Sequence, residues 1–264
     1  MAFVQLNFVS KYLDVGTPVS VILPDRPTDM EPRAFYESGK KYKVLWLLHG
    51  SFDDHTSWVH KTNIELYAAE KDLIVVMPNA LNSNYANWPE FGTGFHMYDY
   101  VLEELMPLIY NWFPASDKRE DNFIAGLSMG GRGTCVFAFN HPEKFAAAAV
   151  LSAAPRDMAQ LKTLEPKMYE RTMHSVRNYG SIEAYMDSYE YTWRIFQEKA
   201  HTGELPRLYF SIGTEDHLYP SYLHFKEKAL EIGLDATFEE AEGYCHEWRF
   251  WDLGIQKALA FFGL

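Results

Sequence analysis

Cysteine is scarce in this chain. Only Cys135 and Cys245 occur among 264 residues, so no framework of disulfides holds the fold, and the two thiols suit a reducing compartment. Long apolar runs are missing too. No stretch of 18 consecutive apolar residues exists, which excludes a membrane-spanning helix. The opening MAFVQLNFVSKYLDVG has no basic leader, no long apolar block and no small-residue cleavage site. No signal peptide is read there, and a cytoplasmic location is expected. Positive charge is in deficit: 24 Lys and Arg stand against 36 Asp and Glu, a net charge of −12. With the bases scattered rather than striped, this argues against nucleic acid and anionic membrane surfaces as partners. Internal repeats, low-complexity tracts and an interdomain linker are absent as well. What is present is a 47% apolar share, enough to bury a sizeable core in one domain over 1–264.

The apolar residues come in a rhythm. Residues 3–9 and 19–23 read as two antiparallel strands around the turn Asp14 to Pro18. Residues 24–41, with three prolines, read as a surface loop. Val44 to Leu48 and Leu73 to Pro78 are apolar at every position, as parallel strands buried on both faces must be. Between them 51–57 reads as polar loop and 63–71 as helix. A long loop, 79–95, precedes a helix over 97–113. Strands follow at 122–126, 145–151, 208–213 and 236–240, with helices at 132–139, 219–232 and 247–262. Strands alternating with helices predict an α/β fold: a mostly parallel sheet covered by helices on both faces. Residues 156–204 break the rhythm, with helical periodicity and no strand. They read as a helical insertion over the top of the sheet.

The stretch FIAGLSMGGRG, Phe123 to Gly133, carries the chemistry. Ser128 lies in a G-x-S-x-G pattern between Gly126 and Gly130, after a strand and before a helix. A serine in so tight a turn needs neighbours without side chains, and the turn lifts its Oγ out of the sheet. The new helix aims backbone N–H groups at the same point. The plainer alternative is a glycine-rich connection with Ser128 capping the helix.

A serine nucleophile needs a base, and the base an orienting acid. In such a sheet these lie after later strands, in the chain order serine, acid, histidine. GTEDH follows strand 208–213 and GYCHEW follows strand 236–240, which selects Asp216 and His246. Glu215 is the rival acid, and His217 reads as a rim histidine facing elsewhere. A Cys–His pair built on Cys135 or Cys245 is the weaker arrangement. An oxyanion hole needs two convergent donors: the N–H of Met129 and, from the loop after 44–48, that of Ser51, where Gly50 allows close approach.

Taken together, LLHGSFDD, VVMPNA, FIAGLSMGGRG, GTEDHLY and GYCHEWRFWD resemble the esterase D-like branch of the α/β-hydrolases. Within it the chain is most similar to tributyrin esterases and to carbohydrate esterase family 1 acetyl and feruloyl esterases. The resemblance spans nearly the whole chain. It implies an α/β-hydrolase fold, a Ser128–Asp216–His246 triad, an oxyanion hole from the Ser51 and Met129 amides, and no cofactor or metal. S-formylglutathione hydrolases are relatives too, but they usually carry a cysteine in an SGLTC-like stretch where this chain has HGSFDD.

Trp58, Trp88, Phe91, Trp193 and Trp248 are candidate pocket walls, since aromatic faces stack on sugars or hydrocarbon. The trio Asp53-Asp54-His55 resembles a metal cluster on paper but lacks a fourth ligand nearby. The leading expectation is a serine carboxylesterase acting on a small-molecule, short-chain acyl ester. A thioesterase or acyltransferase is the alternative, and an inactive hydrolase-like binding protein the third. Self-association into a homo-oligomer stays open.

Overall fold

The computed structural model describes the whole chain, Met1–Leu264. Ten strands form in chain order: β1 (Ala2–Ser10), β2 (Val15–Leu23), β3 (Val44–Leu48), β4 (Ile74–Pro78), β5 (Asn87–Trp88), β6 (Phe95–His96), β7 (Asn122–Leu127), β8 (Ala147–Leu151), β9 (Arg207–Gly213) and β10 (Ala236–Ala241). Eight of them make one sheet in the order β1-β2-β4-β3-β7-β8-β9-β10, while β5 and β6 form a small ribbon inside the long loop. The β1–β2 hairpin is antiparallel and joins β4 antiparallel; every pairing from β4 through to β10 is parallel. This is the mostly parallel α/β sheet that the alternation of strands and helices predicts, in the α/β-hydrolase architecture that the resemblance implies.

The period of two along a strand divides the core. Val44, Trp46 and Leu48 of β3 pack into a cluster of 46 buried residues on one face, while Leu45 and Leu47 join a cluster of 22 on the other. Both faces being covered, β3 has no polar position at all. One polar residue in the central strands is tolerated because it is fully bonded. Asn122 accepts from Trp46 Nε1 at 3.0 Å and from the Tyr110 hydroxyl at 2.9 Å, and its amide donates to the carbonyls of Ser116 and Lys118 at 2.8 Å. The last helix, Trp248–Phe262, covers the smaller cluster with Phe250, Ile255 and Leu259.

The stretch 156–204 forms four helices, Met158–Leu164, Pro166–Tyr179, Ile182–Met186 and Thr192–Lys199, on the connection from β8 to β9. It is tied down by polar bonds as well as packing. Arg132 donates to the Tyr185 hydroxyl at 2.8 Å, Asn140 to the Tyr189 carbonyl at 3.0 Å, and Asn178 to the Asn87 carbonyl at 2.8 Å.

Several boundaries differ from the sequence expectation. The helix after the serine turn begins at Met129 rather than Arg132. Gly130, Gly131 and Gly133 lower its intrinsic propensity, but burial against β3, β7 and β8 overrides that cost. The loop 24–41 contains a short helix, Pro32–Tyr36, and a further one, Ser57–Lys61, precedes Ile64–Ala69. The helix over 97–113 widens to π form at Tyr100–Leu105, just ahead of Pro107, which has no N–H to donate back to its helix.

Candidate active site

The carboxyl ends of β3, β7, β8, β9 and β10 open on one crevice, and the loops leaving them deliver His49 to Ser51, Ser128, Ser152, Asp216 and His246. The turn at Ser128 is forced. The residue sits at φ 52° and ψ −114°, outside the relaxed regions for a side-chain-bearing residue. Its N–H donates to the Leu151 carbonyl at 2.8 Å, and its own carbonyl accepts from Arg132 N–H at 3.0 Å. The flanking glycines make room: a methyl group on Gly126 would strike the backbone of Gly130, and one on Gly130 would strike the carbonyls of Leu48 and His49. Ser128 makes no side-chain cap bond to its helix. Its hydroxyl is turned the other way.

That hydroxyl meets His246. His246 Nε2 lies 2.9 Å from Ser128 Oγ, and Nδ1 lies 2.8 Å from Asp216 Oδ2. Asp216 is 3% exposed. Burial alone would raise its carboxyl, but the hydrogen bond and charge of His246, the Leu218 amide at 2.9 Å and the Ser152 hydroxyl outweigh it and hold the group below its ordinary value. An ionised carboxylate can only accept. Nδ1 therefore carries the proton, and Nε2 is left to accept from Ser128. The acid loop and the base loop are locked together at Gly213, where any side chain would overlap the Tyr244 carbonyl.

The rivals fall elsewhere. Glu215 is exposed and faces the Cys245 thiol, 3.7 Å away. His217 departs from expectation. It is a rim histidine, yet it borders the cluster, with its ring 4.7 Å from that of His246 and its Nδ1 3.5 Å from Asp216 Oδ1. Adjacency to Asp216 on a tight loop brings it there. Asp216, His217 and His246 also present ligand-type atoms within 4.8 Å of one another. A cation there would occupy the atoms that join acid to base. Asp53, Asp54 and His55 are each engaged separately, with Lys61, Thr56 and Ser20.

Of the two amides expected to receive an oxyanion, that of Met129 opens the helix, so its N–H has no carbonyl within the helix to bond. Gly50 packs against Leu127 and Ser128. His49, which carried no assigned role in the sequence, organises this loop. Its Nε2 accepts from Ala80 N–H at 2.9 Å, so Nδ1 is the protonated nitrogen and donates to the Gly50 carbonyl at 2.7 Å. Burial lowers its pKa and keeps the ring neutral. The hint was its position directly after a buried strand, before the glycine.

The four tryptophans separate. Trp88 lines a cavity of about 490 Å³ with Leu81, Asn82, Phe91, Phe95, Arg171 and His174 among its walls. Trp58 is not a pocket wall: it is 1% exposed and its indole N–H donates to the Leu48 carbonyl at 3.1 Å, because its helix turns it into the core. Trp193 is also packed away, stacked on His224 and edge-on to Phe196. Trp248 packs edge-on against Trp58 and Trp251 and borders a shallow surface hollow with His60 and Asp252, apart from the cavity. Arg171, His174 and Phe95 had no signal in the sequence, since only the folded insertion and ribbon bring them to Trp88.

The chain is similar to known proteins along nearly its whole length. The Esterase family, described as "Putative esterase", matches residues 10–262. An acetyl esterase of Caldicellulosiruptor saccharolyticus is 28% identical over 265 residues, covering 98% of this chain and 97% of that protein. Among solved structures, FphF, a fluorophosphonate-binding serine hydrolase of Staphylococcus aureus, is 32% identical with a TM-score of 0.80, covering 99% of this chain and 98% of that one. The S-formylglutathione hydrolase FrmB of Staphylococcus aureus is 32% identical with a TM-score of 0.79, at the same coverage. No helix is long and apolar enough to cross a membrane. The chain belongs to the Esterase family and is a serine hydrolase of carboxylic esters.

Proposed function

We propose that Ser128, His246 and Asp216 are the catalytic triad of a carboxylesterase for short acyl chains, with acetyl to butyryl esters preferred. The observation that carries this reading is the unbroken hydrogen-bond chain from Asp216 through His246 to Ser128 at a strained strand-to-helix turn. Ser128 Oγ attacks the ester carbonyl while His246 Nε2 takes its proton. Asp216 keeps the other ring nitrogen protonated and stabilises the imidazolium. The amides of Met129 and Ser51 receive the oxyanion. His246 then returns the proton to the leaving alcohol, and the acyl-enzyme is hydrolysed by water activated in the same way. The similarity to an acetyl esterase supports the short acyl group. The two free thiols, Cys135 buried and Cys245 exposed, support a reducing compartment.

Turnover of 4-nitrophenyl acetate by Ser128→Ala tests the assignment. A loss on the order of 10⁴-fold is expected, and residual activity within tenfold of wild type would refute it. A palmitoyl ester hydrolysed with the same kcat/KM as the butyryl ester would refute the chain-length preference. The similarity to FrmB favours a second reading, thioester hydrolysis by the same triad. Matched acetyl ester and acetyl thioester substrates separate the two.

A further inference from the structure

The cavity beside the oxyanion loop has an unusual charge. Its three aromatic walls, Trp88, Phe91 and Phe95, face Arg171 and His174, and no carboxylate lines it. In a protein of net charge −12, a concave surface with positive charge and no negative one stands out against the whole. Arg171 is the reason. The two other arginines beneath the insertion are matched to acids, Arg132 to Glu190 at 3.5 Å and Arg156 to Glu165 at 3.4 Å. Arg171 is half-buried and forms no ion pair, and burial and the like charge of Arg132 both disfavour its charged form. Its one side-chain bond is from Nη2 to Ser51 Oγ, at 3.0 Å, and its guanidinium lies 5.9 Å from the Phe52 ring. The other N–H donors of the fork have no partner within the protein.

The position ties the cavity to the chemistry. Ser51 follows Gly50, which packs on Ser128, and Phe52 N–H donates to Asn82 Oδ1 at 2.9 Å, so the cavity wall and the oxyanion loop are one bonded unit. A half-buried cation without a partner, set in an aromatic cleft, is a binding site for a planar anion, because a guanidinium fork matches a carboxylate in shape and charge. We infer that the cavity holds a carboxylate carried by the substrate away from the scissile bond, paired with Arg171, with the flat or apolar part of the same group against Trp88 and Phe95. The natural substrate is thus an anionic ester rather than a neutral one. This rests on the esterase reading above.

Pairs of esters matched in shape but not in charge test it. At the alcohol end, 4-acetoxybenzoate is compared with 4-acetoxybenzamide; at the acyl end, 4-nitrophenyl hydrogen adipate is compared with 4-nitrophenyl hexanoate. In the wild-type enzyme, kcat/KM for the anionic member of one pair should exceed that of its neutral partner by about tenfold or more. The responding pair identifies which end of the substrate carries the carboxylate. In Arg171→Gln that ratio should fall to about one or below, whatever happens to the absolute rates, and Arg171→Lys should restore part of it. A wild-type ratio of one or less in both pairs overturns the inference without any variant, as does a preference that survives in Arg171→Gln. Turnover of the neutral esters in those cases leaves the esterase reading standing. No turnover of any of the four esters overturns both.

Discussion

At the residue scale, the decisive feature is which carboxylate addresses His246. Asp216 and Glu215 are neighbours in sequence, yet one is buried against the imidazole and the other is exposed beside Cys245. Asp216→Asn should preserve the shape of the contact while allowing the amide to donate to Nδ1, which strands the proton on Nε2, the nitrogen that must accept from Ser128. Steady-state hydrolysis is expected to fall on the order of 10²–10⁴-fold, whereas Glu215→Gln should stay within about threefold of wild type, as surface changes generally do. A larger loss in Glu215→Gln would reverse the assignment. That Ser128, Asp216 and His246 come together was legible in the sequence, because each follows a strand and the family order constrains them. The cavity was not legible, since Arg171 lies far along the chain from Trp88 and only the packed insertion aims it there. Trp58 misled for the converse reason: an aromatic residue in a polar stretch gives no sign of which way its helix turns.

At the scale of elements, the helix Met129–Asn140 lies so close to β3 that its second residue has no space for a side chain. Gly130→Ala should therefore move a helix against backbone carbonyls that cannot yield. A loss of about 1–3 kcal/mol in urea denaturation is expected, together with a fall in activity as Met129 N–H leaves its position. Gly254→Ala provides the contrast. Its new methyl would meet only the flexible end of Leu151, at 3.2 Å, and the cost should be smaller by at least half. Equal midpoints for the two variants would show that the close approach is not what holds the helix. The central strands were readable because burial on both faces leaves no ambiguity in an all-apolar run. The start of this helix was not, because three glycines hide it from propensity and only tertiary packing reveals it. The insertion was readable as helical, but not as the wall of a cavity.

At the scale of the whole molecule, stability follows the groups whose protonation differs between folded and unfolded chains. His49 is held neutral by burial, with a pKa below its ordinary 6.5, and His55 is lowered for the same reason. Asp216, Glu239 and Glu240 are depressed below their ordinary values by hydrogen bonds and charge that outweigh burial. For every one of these groups the unfolded chain binds the proton first, so each contributes stability above its unfolded pKa and loses it as pH falls through the folded one. Glu190 acts in the opposite sense, because burial raises it in spite of Arg132. Tm should hold from about pH 7 to about pH 9, begin to fall below about pH 6.5, and fall further below about pH 4.5. His49→Gln should shrink the upper step and leave the lower one; an unchanged profile would remove His49 from the account. A different consequence follows from where the loops of β9 and β10 lie along the chain. His246 stands 118 positions after the serine it serves, and Asp216 only 30 before His246. If the proposed triad is right, a ribosome completes Ser128, its strand and its helix well before it makes either partner. On that proposal the emerging polypeptide carries a hydroxyl without its base until residue 246 has been made.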